Sequence, residues 1–167
     1  ELFCIVIFAM AATILWTIAD RQRKAYPRLF EVLRTVARHF LALVMIIYGA
    51  AKVVPMQFGS LTPYSLTATI GERSPHGLLW TFMAASPYYT SFTGTIEFVS
   101  GLLLIFRRTT LLGALIAAGA LAHVVMLNFC FDVPVKLFSS HLLAISLFVV
   151  APDVGRLWNF FILSRPV

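Results

Sequence analysis

Acidic side chains are scarce in this chain. Asp and Glu number 7 in 167 residues, and all charged residues together make up 12%. Soluble domains carry about 25% charged and about 45–50% apolar residues. At 60% apolar, the composition excludes an ordinary soluble domain and reads as an integral membrane protein. Cysteine is equally sparse. Cys4 and Cys130 form no CxxC pair, which argues against a dithiol relay. No nucleotide-binding loop, haem-attachment motif, Ser-His-Asp pattern or EF-hand is present. Low-complexity segments and clear internal repeats are also missing, and without an inverted repeat a secondary transporter is disfavoured. The length suits one compact helical bundle without a separate soluble domain. The net charge of +6 would suggest nucleic acid in a soluble protein. Here it follows from the excess of Lys and Arg in cytoplasmic loops, so no nucleic-acid partner is expected.

An apolar run of about 18–20 residues spans the hydrocarbon core as a helix. Five such runs are predicted: about 2–19, 36–54, 88–106, 111–130 and 136–151. The second is entered through an amphipathic stretch, 29–38, and the start of the third is blurred by the apolar 78–86. The first run is not a cleaved signal peptide, because its basic residues follow the apolar stretch and Asp20 stands where a small residue would be cleaved. A C-terminal stretch, VGRLWNFFILSR, is too short to span and reads as an interfacial helix. Arg21, Arg23, Lys24, Arg28, Arg34 and Arg38 crowd the first connection, Arg107 and Arg108 fill the third, and Arg156 and Arg165 mark the tail. This alternation places the N-terminus outside and the C-terminus in the cytoplasm. The 55–87 segment then lies outside. With Pro55, Pro63, Pro75 and Pro87 and three glycines, it reads as turn-rich. Residues 1–28 form an N-terminal span with its basic connection, and 29–167 a four-helix membrane domain.

Several polar groups fall where the chain should be in lipid: Lys52, Glu97, His123, Asn128 and His141, with Asp132 and Lys136 bracketing the DVPVK turn. Such groups are costly in hydrocarbon and face a protein interior, paired with one another. At about 1.5 Å rise per residue they lie at similar depth in the outer half of four different helices. Glu97 and Lys52 form the most economical pair. It is either a structural staple between helices or a proton-handling or ligand-anchoring carboxylate with its counterion. Glu97 is the candidate catalytic residue. His123 and His141 suit interhelical hydrogen bonds or donation to a quinone head group. Without an HxxxH or HxxE pattern they make a weak metal signal, and no metal is expected. The aromatics Trp80, Phe82, Tyr88, Tyr89 and Phe92 suit a lipid or quinone pocket or an interfacial belt. In the fourth run, Gly113, Ala117, Ala118, Gly119 and Ala122 give a smooth face for a neighbouring helix, from within the chain or from a second copy in a homo-oligomer. Cys4 and Cys130 both fall near the outer face, where oxidation is allowed. Two unpaired thiols are the default and a disulfide the alternative.

From Tyr48 onward the chain resembles the DoxX-like family of small bacterial membrane proteins. The resemblance rests on YGAAKVVPMQF, FTGTIEFVSGLLLIFRRTTLLG and LNFCFDVPVKLFSSHLL, in that order. It implies a four-helix core in the bacterial inner membrane, to which the first span is an addition. It also implies a shared site at Tyr48, Lys52, Gln57, Glu97, Asn128, Asp132, Lys136 and His141, with Gly49 and Gly101 in the same motifs. The family is named for the membrane subunit of a thiosulfate:quinone oxidoreductase. On this basis the chain is expected to be an accessory subunit of a redox or electron-transfer system, non-catalytic or part of a quinone-linked oxidoreductase, with a buried outer-leaflet site for a quinone-like or lipid ligand. His123 completes the candidate ligand-binding set. A membrane assembly factor holding a client protein, with a structural polar layer, is the alternative.

Overall fold

A computed structural model describes residues 2–21, 25–54 and 56–164. Glu1, Arg23, Lys24, Pro55 and Arg165 lie outside the described residues. The described chain is helical, with no strand among its residues, and forms two compact units, Glu1–Leu33 and Arg34–Val167. The helices are α1 (Leu2–Ala19), α2 (Pro27–Val53), α3 (Pro63–Thr67), α4 (Pro75–Ala85), α5 (Pro87–Ile105), α6 (Thr110–Cys130), α7 (Lys136–Val150) and α8 (Val154–Phe161). Single 3₁₀ turns occupy Ile70–Glu72 and Ala151–Asp153.

In the first unit, Trp16 Nε1 donates to the Tyr26 hydroxyl (3.2 Å), which donates to Asp20 (2.6 Å). This chain of bonds ties the end of α1 to the connection that follows it.

The second unit is built on α5, α6, α7 and the Arg34–Val53 part of α2. Its apolar core contains Leu41, Met45, Leu104, Ala117, Leu142 and Val149. Small residues set the spacing between α2 and α5. A Cβ added to Gly94 would lie 2.6 Å from Lys52 Cβ and 2.7 Å from the Gly49 carbonyl oxygen. One added to Gly101 would lie 2.9 Å from the Ala42 carbonyl oxygen. Gly113 does the same between α6 and α5, against Ser100 and Leu104. The small-residue face of α6 therefore packs partly inside the chain, at Gly113 and Ala117, whereas Gly119 and Ala122 are exposed.

Among the described residues, three helical stretches are long and apolar enough to cross a membrane: Pro27–Val53, Thr110–Cys130 and Lys136–Phe161. Of the five expected spans, α1 and α5 fall short of this measure. Phe3–Ala19 is apolar but shorter. The composition of α5 is diluted by hydroxyl residues, which bond back to nearby backbone: Thr95 to Ser91 O (2.8 Å), Thr93 to Thr90 O (2.8 Å) and Ser100 to Glu97 O (2.7 Å). The second stretch also starts earlier than the apolar pattern suggests, because α2 begins at Pro27.

The 55–87 segment is more ordered than its prolines imply. Pro63, Pro75 and Pro87 each begin a helix, behind Thr62, Ser74 and Ser86 as N-caps. A first-turn proline loses no hydrogen bond, since that N–H has no partner in any helix. Ser74 and Ser86 accept from Gly77 N (3.1 Å) and Tyr89 N (3.3 Å). Glu72 accepts from Thr69 N–H at 2.8 Å, and this bond holds its carboxyl below the usual range. Arg73 then binds the Thr81 hydroxyl and the Ser65 carbonyl, fastening α3 to α4. Leu79, Met83 and Val133 form a second small core with Phe58, Trp80 and Leu127 around it. This core seats the segment against the α6–α7 turn.

Candidate functional site

Lys52 closes the last turn of α2, and Glu97 sits in the middle of α5. The glycine contacts described above bring these helices close enough for the two side chains to meet. Lys52 Nζ donates to Glu97 Oε1 at 2.5 Å, and the side chains are 9% and 7% exposed. The predicted pair forms, but it uses only half of the carboxylate. Glu97 Oε2 is buried without a hydrogen-bond partner, and so is Gln57 Oε1.

Both residues line a cavity of about 400 Å³. Its apolar wall includes Met45, Leu79, Trp80, Met83, Phe92 and Leu142. Its polar groups are Lys52, Gln57, Thr93, Glu97, His123, Asn128 and Ser139, with the Tyr48 ring beside them. Phe58 packs edge-on against Trp80 with centroids 5.1 Å apart, so the 56–85 segment closes one side of the cavity. Asn128 Nδ2 donates to Ser139 Oγ (2.9 Å), which donates to the Lys136 carbonyl (3.0 Å). This relay ties α6 to α7 along the wall.

Six of the nine expected ligand-binding residues thus converge: Tyr48, Lys52, Gln57, Glu97, His123 and Asn128. Asp132, Lys136 and His141 do not line the cavity. Asp132 has a left-handed backbone (φ 53°) and follows the C-cap of α6. The Val133 N–H returns to the Asn128 carbonyl at 3.0 Å, the hydrogen bond of a Schellman turn. Lys136 forms an ion pair with exposed Asp132 across the α6–α7 connection. That bond is the main cause of an Asp132 carboxyl held below its ordinary range. His141 is exposed, and its Nδ1 lies 2.6 Å from the Leu137 carbonyl. Among the expected aromatics Trp80, Tyr89 and Phe92 reach the cavity. Tyr88 is 91% exposed, and Phe82 packs against Tyr89 instead. Thr93 and Ser139 are polar wall residues outside the expected set.

The chain is 34% identical over 139 residues to the uncharacterized protein YwoB of Bacillus subtilis (strain 168), a match covering 83% of this chain and 84% of that protein. It belongs to the YwoB family. No family model matches the chain, and no solved structure matches it. The cavity residues of this YwoB-family chain include no cluster suited to a metal. Among the described residues no three His, Cys, Asp or Glu side chains are grouped to hold one. Cys4 and Cys130 are both free and exposed.

Proposed function

We propose that this chain is a DoxX-like, multi-pass protein of the bacterial inner membrane that binds a quinone-like or lipid molecule in the cavity at Glu97, as an accessory subunit of a redox system. The observation that carries this reading is the pair of unsatisfied acceptors, Glu97 Oε2 and Gln57 Oε1, among the residues lining a mostly apolar cavity. A buried polar atom without a partner costs about 1–3 kcal/mol, and a ligand that donates a hydrogen bond removes that cost. The volume falls within the usual range for ligand pockets, about 300–1,000 Å³.

A hydroxyl head group, as in a quinol, suits the two acceptors, and a carbonyl oxygen suits the remaining donors of Lys52 or His123. Trp80, Phe92 and the aliphatic wall cover the apolar body. Glu97 is placed to take one of the two protons released as a quinol is oxidised, while the other passes to the outer water and both electrons leave to a partner subunit. The large hydrophobic residues exposed on α2, α5 and α6, such as Leu43, Ile47, Val99, Leu112 and Met126, favour a lipid surround. We retain five spans with the N-terminus outside, because internally bonded hydroxyls make α5 tolerable in lipid.

Native mass spectrometry from mild detergent, with identification of bound quinone and lipid, tests this reading. Wild type is expected to retain a small molecule that Glu97→Gln loses while staying folded. A wild-type protein that retains none overturns it. The close Lys52–Glu97 pair supports a second reading, an assembly factor with a structural polar layer. That reading expects a stoichiometric client protein and no bound small molecule.

A further inference from the structure

Arg38 lies about 21 Å along α2 from Lys52, at the other end of the bundle, at roughly 1.5 Å per residue. It is only 9% exposed. Its Nη1 donates to Thr110 Oγ1 at 3.0 Å. The opposite edge of the guanidinium, Nε with Nη2, is nearly idle. Nε is buried without a partner, and Nη2 has only His39 Nε2 at 3.5 Å. That edge is the one that binds oxyanions in two-point fashion.

No carboxylate of the second unit answers this charge. Glu97 is taken by Lys52 and Asp132 by Lys136. Glu72 caps Thr69. Asp153 is shared by Arg34 at 2.7 Å and Arg156 at 3.2 Å. Arg34 stands one helical turn before Arg38 on α2, and Arg107 stands three residues before Thr110, so both add positive charge at this end.

The helix geometry adds to the imbalance. Thr110 is the first residue of α6, and its N-cap Thr109 makes no side-chain cap bond. The Thr109 hydroxyl donates to the Leu103 carbonyl instead (2.7 Å). The first amides of α6 therefore have no side-chain acceptor, and the positive end of the helix dipole meets a buried arginine. Arg38, Arg34, Arg107 and the N-terminus of α6 are four sources of positive potential, and Asp153, bonded to Arg34, makes no bond to Arg38 among the described residues.

We propose that the Arg38 end of the bundle is a binding site for a phosphate-bearing anion, held by the Nε–Nη2 edge of Arg38, the N-terminus of α6 and Arg107. Phosphate favours a helix N-terminus for the same reasons of dipole and open N–H groups. The source committed to is an anionic phospholipid head group, because the Arg38 end belongs to helices long enough to span a bilayer. This site is independent of the Glu97 cavity and of the function proposed for it.

The test uses the full chain in a neutral detergent. Thermal unfolding is followed while titrating dioctanoyl phosphatidylglycerol, dioctanoyl phosphatidylcholine or inorganic phosphate. Phosphatidylglycerol is expected to raise the melting temperature more than phosphatidylcholine. Arg38→Gln is expected to weaken that response about tenfold or more, the effect of losing a charge-assisted bond. Arg107→Gln, at an exposed position, gives the same direction if Arg38→Gln does not fold. An equal response to inorganic phosphate, lost in either variant, keeps the site but assigns it to the free ion. Equal responses to the two lipids without a phosphate effect, or variants that respond as wild type does, overturn the proposal.

Discussion

Lys52 Nζ and Glu97 Oε1 meet at 2.5 Å beside Gly94, whose missing side chain leaves room for the Lys52 Cβ. The ion pair and the helix contact are one feature. Breaking a buried pair by removing one partner leaves an uncompensated charge and costs about 3–5 kcal/mol. Lys52→Met is therefore expected to destabilise strongly. The double variant Lys52→Met with Glu97→Gln is expected to lose much less than the sum of the two single changes. Equilibrium unfolding of the four proteins in one detergent gives the coupling. Strict additivity would mean that the two groups do not interact.

The same contact makes Gly94 intolerant. An added Cβ would sit 2.6 Å from Lys52 Cβ and 2.7 Å from the Gly49 carbonyl, so α2 and α5 must separate. Overpacking of this kind costs about 1–3 kcal/mol. Gly119 is the control, because a Cβ added there would meet nothing within 4 Å, and Gly119→Ala should be neutral or mildly stabilising. Melting temperatures of Gly94→Ala and Gly119→Ala should move in different directions or by clearly different amounts. Matching losses would show that the α2–α5 approach is looser than the glycine contacts imply.

Of the helices that carry the site, α2, α6 and α7 were legible because apolar length is a strong signal, and α6 and α7 follow their expected limits closely. The site was legible in part. Glu97 and Lys52 stood out as charges in apolar surroundings, and that cost forces a partner. His141 also stood out but is exposed, because the buried stripe of α7 runs through Ser139, Leu142, Ser146 and Val149 and His141 lies off it. That stripe has helical spacing and could have pointed to Ser139. Asp132 and Lys136 entered the site through the family resemblance, whereas their place around Pro134 pointed to the outer turn, across which they pair. The prolines of the 55–87 segment misled for a different reason. Each helix-starting proline follows Ser or Thr, and Ser/Thr-Pro marks a helix start as well as a turn.

Ser139 connects the α6–α7 interface to the cavity. Its hydroxyl is the acceptor for buried Asn128 Nδ2. Ser139→Ala leaves that amide without its partner, for a loss of about 1–3 kcal/mol. Ser139→Thr keeps the hydroxyl and should retain most of the stability. The decisive comparison is Asn128→Leu alone against Asn128→Leu with Ser139→Ala. The second change should cost little once the amide is gone. An undiminished Ser139→Ala penalty in the Asn128→Leu background would place the role of the hydroxyl elsewhere.

Asp132 gives the pH dependence its sign. Its carboxyl is held below the ordinary range, first by the hydrogen bond from Lys136 and then by that residue's charge. A carboxyl whose folded pKa is depressed contributes stability above its unfolded value, about 3.9, and loses it as pH falls through the folded value. The melting temperature should therefore decline as the medium is acidified below about pH 4. Glu72, depressed by its bond to Thr69 N–H, contributes in the same direction. Asp132→Asn removes one of the two contributions and keeps a residue that tolerates the left-handed backbone. Its acid decline should be shallower than that of wild type, because the variant gives up that contribution at neutral pH and converges on wild type in acid. Asp132→Ala should lose stability at every pH, because alanine is strained at φ 53°. An Asp132→Asn profile that overlays wild type through the acid range would show that the Lys136 bond does not bias this carboxyl.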